Sequence, residues 1–281
     1  MKRLLVPVVL VATLTACSGG KGETTVDPSS GPSTSSGAST SAAPAPPTAT
    51  AAPRPADRAC YDLDHDEAVA PTNDREPVDC RAAHTSMTFA VGDLDAVVDG
   101  HLLAVDSDRV QAQVAETCPE QLAGFIGGTT EDRRLSMLRA TWFTPTVKES
   151  DAGAAWYRCD VIALAGDEDL ARLTGMVGGV LDRPEDSERY AMCGTAEPGT
   201  PGFSRVICSS RHSWRAISTV PFDGGAYPGV EEVRSAGETP CRDAARAVAD
   251  DSLSFQWGYE WPTGAQWQAG QTYGLCWAPD S

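Results

Sequence analysis

Cys80-Arg81-Ala82-Ala83-His84 and Cys208-Ser209-Ser210-Arg211-His212 place a histidine four positions after a cysteine at two points in the chain. Each pair belongs to a quartet of cysteines, Cys60, Cys80, Cys118 and Cys159 in the first and Cys193, Cys208, Cys241 and Cys276 in the second. The gaps are 20, 38 and 41 residues in the first quartet and 15, 33 and 35 in the second. This recurrence indicates an internal repeat, in which one unit occurs twice.

Strand-like segments recur in the same order around the two quartets. β-Branched and apolar residues follow each histidine, over 86–91 and 213–220, and predict a strand in each copy. Two aromatic-containing runs, 135–143 and 254–261, predict a later strand, and Pro262 follows the second run. Trp156 and Trp267 each precede the last cysteine of their quartet, and we expect the tryptophans to fill two hydrophobic cores.

The third cysteine of each quartet marks the expected start of a helix. Thr117-Cys118-Pro119-Glu120 has the capping-box pattern, and Thr239-Pro240-Cys241 places proline at the first helical position. Residues Ala244, Ala245 and Val248 would form the apolar face of the second copy, and valines 110, 114, 230 and 233 predict a further helix upstream in each copy.

The sequence therefore predicts an α+β fold of two tandem disulfide-stapled repeats, each roughly β-β-α-α-β-β. Repeat 1 covers residues 58–165, a connection covers 166–189, and repeat 2 covers 190–281.

Eight cysteines in an exported chain are expected to form four disulfides. Four cysteines allow three pairings within each repeat. Pairing in chain order is favoured, because one bridge would then join neighbouring strands and the other would tie a helix start to the last strand. The expected pairs are Cys60–Cys80, Cys118–Cys159, Cys193–Cys208 and Cys241–Cys276.

The N-terminal residues predict export and a lipid anchor. Lys2 and Arg3 precede an apolar run over 4–16, which is shorter than the ~20 residues that span a bilayer. Residues 1–16 are therefore predicted to be a signal peptide. Leu14-Thr15-Ala16-Cys17 matches the bacterial lipobox, in which the cysteine is acylated with palmitate or a similar chain. The alternative is an ordinary signal peptide with Cys17 inside or beside its cleavage site.

Residues 17–57 are expected to be a disordered tether between the lipidated cysteine and the repeats. Residues 18–57 contain no Leu, Ile, Met, Phe, Trp or Tyr, so they cannot bury enough apolar surface to offset the entropy of ordering. A lipoprotein of this design would lie on the outer face of the cytoplasmic membrane, which it would contact through its lipid.

The charge balance limits the classes of partner. The chain carries 39 acidic and 22 basic residues, a net charge of -17. This acidity argues against nucleic acid and against peripheral binding to anionic lipid, since both require basic patches. It is compatible with cationic partners or a divalent metal.

Two groups of residues invite a metal interpretation. His84 and His212 could chelate zinc with the nearby cysteines, but disulfide formation favours an imidazole that hydrogen-bonds the backbone. Asp62, Asp64, Asp66 and Glu67 resemble the start of a calcium loop, yet Glu67 stands where that loop needs glycine. A solvated acidic turn is favoured, and no metal or cofactor is predicted.

Val78-Asp79-Cys80-Arg81-Ala82-Ala83-His84 resembles the Cys-x-x-Pro-His hallmark of the actinobacterial septum formation domain family. Pro262, Trp267 and Cys276 are similar to the closing pattern of that family. Ala83 and Arg211 stand where the family tends to have proline. The resemblance implies a membrane-attached or lipidated envelope protein connected with the division septum.

The predicted function is a non-enzymatic interaction or scaffold module in envelope or septum assembly, with an unidentified envelope or division protein as partner. The chain lacks the nucleophile, zinc-protease and phosphate-loop motifs, so no catalytic residue is predicted. The alternative is a lipoprotein that binds a small ligand or cation in the groove between the repeats. A cell-wall hydrolase is less favoured, although paired carboxylates leave no local signature.

Overall fold

Four disulfides staple the structure, and each joins two cysteines of the same quartet. The computed structural model describes residues 50–51 and 53–280. Its bridges are Cys60–Cys80, Cys118–Cys159, Cys193–Cys208 and Cys241–Cys276, which are the pairs expected from the sequence. The predicted signal peptide, Cys17 and most of the predicted tether lie outside the described residues.

Repeat 1 is built on a four-stranded antiparallel sheet flanked by one long helix. Its strands are β1 (Cys60–Tyr61), β2 (Ser86–Asp93), β3 (Val97–Val98), β4 (His101–Leu102), β5 (Leu138–Phe143) and β6 (Trp156–Ala163). Its helices are α1 (His65–Val69), α2 (Asp108–Ile126), α3 (Thr130–Arg134) and α4 (Val147–Asp151). The sheet order is β1-β2-β6-β5, and β3 and β4 form a separate hairpin.

Repeat 2 is built on a five-stranded antiparallel sheet. Two short 3-10 turns, Val180–Asp182 and Glu188–Tyr190, flank α5 (Pro184–Ser187) in the connection. The strands that follow are β7 (Met192–Gly194), β8 (Arg205–Ile207), β9 (Trp214–Pro221), β10 (Gly258–Glu260) and β11 (Tyr273–Pro279). The helices are α6 (Val230–Ala236), α7 (Glu238–Val248) and α8 (Gly264–Gln268), and the sheet order is β10-β11-β9-β7-β8.

The two sheets have the same connectivity. Strands β1, β2, β6 and β5 of repeat 1 correspond to β7, β9, β11 and β10 of repeat 2. Cys159 lies opposite Ala90, and Cys276 lies opposite Ser218, and both ladders shift register beside that cysteine. A bulge at the same position in both ladders supports the equivalence of the two sheets. The predicted α+β fold of two disulfide-stapled repeats is confirmed.

The helices of repeat 1 differ from the prediction. A single helix, α2, runs through Pro119, so Thr117 does not begin a helix. Proline removes one helical hydrogen bond and costs ~3 kcal/mol in a helix interior. Burial of a continuous face offsets that cost, and this face comprises Val110, Val114, Cys118, Leu122 and Ile126.

In repeat 2 the predicted break between two helices is present, at Gly237. A Cβ at that position would lie 2.2 Å from the ring of Tyr259, so glycine permits the close approach of this helix break to Tyr259 on β10. Helix α7 begins at Glu238, which makes Pro240 its third residue and not its first. The predicted apolar face is wrong in part, because Val248 is 61% exposed while Cys241 and Ala245 are buried.

The two repeats share their main hydrophobic core, contrary to the expectation of two separate cores. One cluster contains Met87 and Val161 of repeat 1 together with Met192, Leu275 and Trp277 of repeat 2. A main-chain bridge between Ser136 and Ala191 also joins the end of the first sheet to the second. The repeats therefore pack as one unit. Within the described residues, no helix combines the length and the apolar character that a membrane span requires.

Candidate functional site

The two hallmark histidines make the same contact. His84 Nδ1 lies 2.9 Å from Ala82 O, and His212 Nδ1 lies 2.7 Å from Ser210 O. Each imidazole thus bonds the carbonyl two residues earlier and closes the turn that follows a disulfide-bonded cysteine. This geometry is the backbone-bonded arrangement favoured from the sequence, and it gives both histidines a structural role.

The one cluster with metal-like geometry in the described part of the chain is an ion-pair network. His212 Nε2 lies 3.3 Å from Asp280 Oδ2, close to Cys193. The Cys193 sulfur is bonded to Cys208 and is therefore unavailable as a thiolate ligand. Asp280 instead accepts from Arg215 Nε at 2.5 Å. Burial raises the pKa of Asp280, but hydrogen bonds and charges from Arg215 and His212 outweigh it and hold this pKa below its ordinary value.

Carboxylates of the acidic turn in repeat 1 cap a helix and form ion pairs with arginines. Asp64 caps α1 by accepting from the Glu67 N–H, and the Glu67 side chain accepts in turn from the Asp64 N–H, which completes a capping box. Asp62 pairs with Arg172, and Glu67 also pairs with Arg75. The carboxylates are thus arranged around a helix start and two arginines, as a solvated acidic turn would be.

Trp156 and Trp267, which the sequence analysis paired, occupy different elements. Trp156 begins β6, whereas Trp267 is a residue of α8. The position that matches Trp156 is Tyr273, since each stands three residues before the last cysteine of its quartet. The unequal spacing of the two tryptophans therefore reflects a mistaken pairing and not a change in loop length.

Pro262 does have a counterpart, Pro145, and each proline precedes a helix with the same cap. Thr146 and Glu149 form a capping box at α4. Thr263 and Gln266 form one at α8. Trp267 on α8 is buried, and its Nε1 donates to Gly225 O at 2.8 Å, so it anchors a loop of repeat 2.

Two surface grooves occupy matching places in the two repeats. In repeat 1 the groove lies between α2 and β5, and in repeat 2 it lies between α7 and the residues that precede β10. In repeat 1 the groove has a volume of about 450 Å³ and an apolar floor that includes Leu122, Ile126 and Leu138. Arg133, Arg134 and Arg139 line it, and Tyr273 of repeat 2 closes one side. We call this site the arginine groove. Tyr273 is its single lining residue from repeat 2, so it is mainly a groove of repeat 1, and its charged side chains are cationic.

The three arginines of this groove bond to carbonyls or stack on a ring. Arg133 donates to the Gly127 and Gly128 carbonyls, and Arg139 donates to Ser136 O at 2.8 Å and Leu138 O at 2.7 Å. The Arg134 guanidinium lies 4.4 Å from the centre of the Tyr273 ring. Every ion pair among the described residues involves other basic side chains. Desolvation lowers the pKa of Arg139, so its charge is held at some cost.

The matching groove of repeat 2 carries the opposite charge. It has a volume of about 600 Å³ and is lined by Asp250, Asp251, Phe255 and Gln256. Phe255 and Gln256 take the places of Leu138 and Arg139, as the pairing of each strand with its last cysteine shows. The duplication has therefore produced two equivalent sites with different chemistry.

A further pocket of about 430 Å³ is lined in part by Gly258 and Tyr259 of β10. Three carboxylates, three aromatic rings and one guanidinium line it, from Glu197, Glu231, Glu238, Trp257, Tyr259, Trp261 and Arg234, and the guanidinium lies 5.3 Å from the centre of the Trp261 ring. The Tyr259 hydroxyl donates to Val233 O at 2.8 Å. Desolvation raises the pKa of this phenol to about 12. We call this site the acidic-aromatic pocket.

Sequence reasoning did not find these grooves, because their residues are scattered over helices and strands. One signal was present, in the adjacent pair Arg133-Arg134 followed by Arg139 in a strongly acidic chain. The two repeats, aligned on their last cysteines, set Arg139 against Gln256 and would have shown the difference in charge.

A family model described as septum formation matches the chain twice, over residues 33–149 and 136–276. The two matches overlap and together extend over most of the chain. No curated protein matches it, and no solved structure does. The family match therefore agrees with the resemblance seen in the cysteine and histidine pattern.

Proposed function

The chain belongs to the septum formation family, and we propose that it is a non-enzymatic, lipid-anchored interaction module in the assembly of the division septum or the envelope. The observation that carries this proposal is the arginine groove. An apolar floor lined by three arginines without carboxylate partners is a surface suited to recognition, and it is absent from the equivalent place in repeat 2.

The proposed location is the outer face of the cytoplasmic membrane. Four disulfides support an oxidising compartment, where such bridges persist. Cys17 would carry the lipid, and residues 17–57 would hold the repeats away from the bilayer. Labelled palmitate should enter the wild-type chain but not a Cys17→Ser variant, and fractionation should release that variant from the membrane.

The septal role is tested by microscopy of a fluorescent fusion to the full chain. The fusion should concentrate at division sites, and depletion of the protein should delay or misplace septa. The Cys17→Ser fusion provides the control for anchoring. Uniform labelling of the envelope together with normal septa on depletion would refute the septal role.

The non-enzymatic character is tested with purified peptidoglycan. The full chain should release no soluble glycan or peptide fragments after long incubation, whereas an added wall hydrolase in the same assay should release them. Fragment release by the purified chain would replace the scaffold proposal with a hydrolase.

A second candidate function is the binding of a cationic ligand, favoured by the acidic-aromatic pocket. Carboxylates beside aromatic faces suit an organic cation, because the ring quadrupole and the negative charge act together. Arg234 already lies over the Trp261 ring, so a ligand would use the three carboxylates and the remaining ring faces. Thermal shifts with polyamines, calcium, zinc and wall fragments would test it. A polyamine shift that is lost in the Glu231→Gln/Glu238→Gln variant would support this function, and no shift with any ligand would exclude it.

A further inference from the structure

Strand β5 forms an open edge of the first sheet. It pairs with β6 on one side only, since the sheet order is β1-β2-β6-β5. Leu164 N–H donates to Met137 O at 3.0 Å, and this bond fixes which residues of β5 face β6. Arg139 and Thr141 therefore direct their main-chain groups toward β6, while those of Ala140 point to the free edge.

The space beside this edge is open on both faces of the sheet. Ala140 lines the arginine groove on one side and a second groove, which also contains Val69 and Trp142, on the other. Within the described residues, no main-chain group outside the β5–β6 pair bonds to Ala140. Leu138, which has the same phase as Ala140, already bonds Ser136 Oγ and the Arg139 side chain, so among the described residues the free outward groups of β5 are those of Ala140 and Trp142. Such unpaired N–H and C=O groups on an exposed edge are a template for an added strand.

The charges beside the edge select the strand that can be added. Arg139 lies on β5 itself, and Arg133 and Arg134 lie on α3 across the groove. Guanidinium groups bind carboxylates by bidentate, charge-assisted hydrogen bonds. The apolar floor of Leu122, Ile126 and Leu138 suits side chains that alternate with those carboxylates along an extended peptide.

We infer that the arginine groove binds an extended acidic segment of a partner protein, which adds to β5 as an outer strand. Main-chain hydrogen bonds to the edge give the segment its extended shape, and its carboxylates meet the three arginines. This inference rests on the proposed function and names the chemistry of the partner. Anionic lipid shares the charge but has no main-chain groups to pair with Ala140.

The test uses the full chain in detergent and a short fluorescent peptide of alternating Glu and Val with blocked ends. Fluorescence anisotropy should show binding that weakens as salt is added. A peptide of alternating Lys and Val should not bind. A Glu-Val peptide with N-methyl groups along one edge keeps the charge but loses main-chain donors, and it should bind at least about tenfold more weakly.

Two variants of the protein distinguish the contribution of the arginine charges to peptide binding from that of the main-chain groups of β5. Arg134→Gln/Arg139→Gln should weaken binding of the Glu-Val peptide about tenfold or more, whereas the matched variant Arg81→Gln/Arg211→Gln should not. Ala140→Pro removes the outward N–H and should weaken binding to a similar degree, while Ala140→Val keeps it. Thermal melting establishes that each variant is folded, and the N-methylated peptide tests the edge on the wild-type chain if Ala140→Pro does not fold.

Several outcomes would overturn the inference. They are no binding of the Glu-Val peptide, equal binding of the Lys-Val peptide, or equal binding of the N-methylated peptide. Binding to phosphatidylglycerol vesicles that requires Arg134 and Arg139, without peptide binding, would assign the groove to lipid. None of these results bears on septal localisation, so failure here is distinguishable from failure of the proposed function.

Discussion

Asp160 and Trp277 occupy the same position in the two repeats. Each follows the last cysteine of its quartet, each lies beside the register shift in its ladder, and each is completely buried. One repeat thus buries a carboxylate where the other buries an indole.

The surroundings of the two residues differ accordingly. The Asp160 carboxylate accepts from the Ser86 and Thr88 hydroxyls, both at 2.8 Å, and lies 3.1 Å from Arg158 Nε. The Arg158 guanidinium lies between the rings of Tyr61 and Phe143, at 4.1 and 4.3 Å. The matching positions in repeat 2, Trp214, Ala216 and Leu275, are apolar. Burial raises the pKa of Asp160, and Arg158 and the two hydroxyls oppose that rise.

Replacing Asp160 with asparagine should destabilise the protein by about 3–5 kcal/mol, because Arg158 would remain buried without a counter-charge. Adding Arg158→Met should recover part of that loss, since the double variant buries no charge and the introduced carboxamide oxygen still accepts from the hydroxyls. Urea unfolding of both variants measures the difference. A double variant no more stable than Asp160→Asn would show that the ion pair does not govern this site.

The shared core predicts that both repeats unfold together. Trp277→Ala should cost about 3–5 kcal/mol and lower the hydrogen-exchange protection of β2 and β6 in repeat 1 as much as that of β9 in repeat 2. Calorimetry of the wild-type chain should show a single unfolding transition for the two repeats. Two transitions, or loss of protection in repeat 2 alone, would contradict a common core.

Asp280 should support stability at neutral pH and lose that role in acid. Its pKa is below the ordinary value of 3.8, so the folded state favours the charged carboxylate. The stabilisation is present above pH 3.8 and disappears as pH falls through the folded pKa. Asp280→Asn should therefore cost about 1–3 kcal/mol at about pH 7, with the difference from wild type vanishing in acid. A difference independent of pH would refute the linkage.

Tyr259 should make the protein less stable at high pH. Its phenol has a pKa of about 12 in the folded state against an ordinary 10.0, so between these values the unfolded chain loses a proton that the folded chain keeps. Stability therefore falls as pH rises through this window. Tyr259→Phe should show a smaller fall in urea unfolding, although Tyr61 and Tyr190, whose pKa values are also raised by burial, contribute a remainder.

Gly237 should tolerate no side chain. A Cβ there would overlap the Tyr259 ring at 2.2 Å, whereas at Gly166 it would meet nothing within 4 Å. Gly237→Ala should destabilise by about 1–3 kcal/mol, and Gly166→Ala should have little effect in the same thermal melts. Equal melting temperatures for the two variants would contradict the close approach.

The spacing of cysteines and histidines along the sequence determined the duplication and the disulfide pairing. Cysteine spacing and the following histidine indicate two copies of one unit, because a disulfide needs two cysteines brought close and the histidine closes the turn beside one of them. Strands β2 and β9 begin within a residue of their predicted starts, since a run of β-branched and apolar residues is a local signal. Helix boundaries were less well predicted, because tertiary burial carries α2 through Pro119.

Only the tertiary structure decided which surfaces differ between the copies. Alignment of the repeats on their last cysteines already sets Arg139 against Gln256, but only packing shows that these two residues line matching grooves. Packing likewise decided that the repeats share one core and that Trp267 lies on a helix while Trp156 begins a strand. The net negative charge of the chain was compatible with cationic partners, whereas packing gathers three arginines at one groove. A net charge sums over all residues, but a binding site depends on which of them come together.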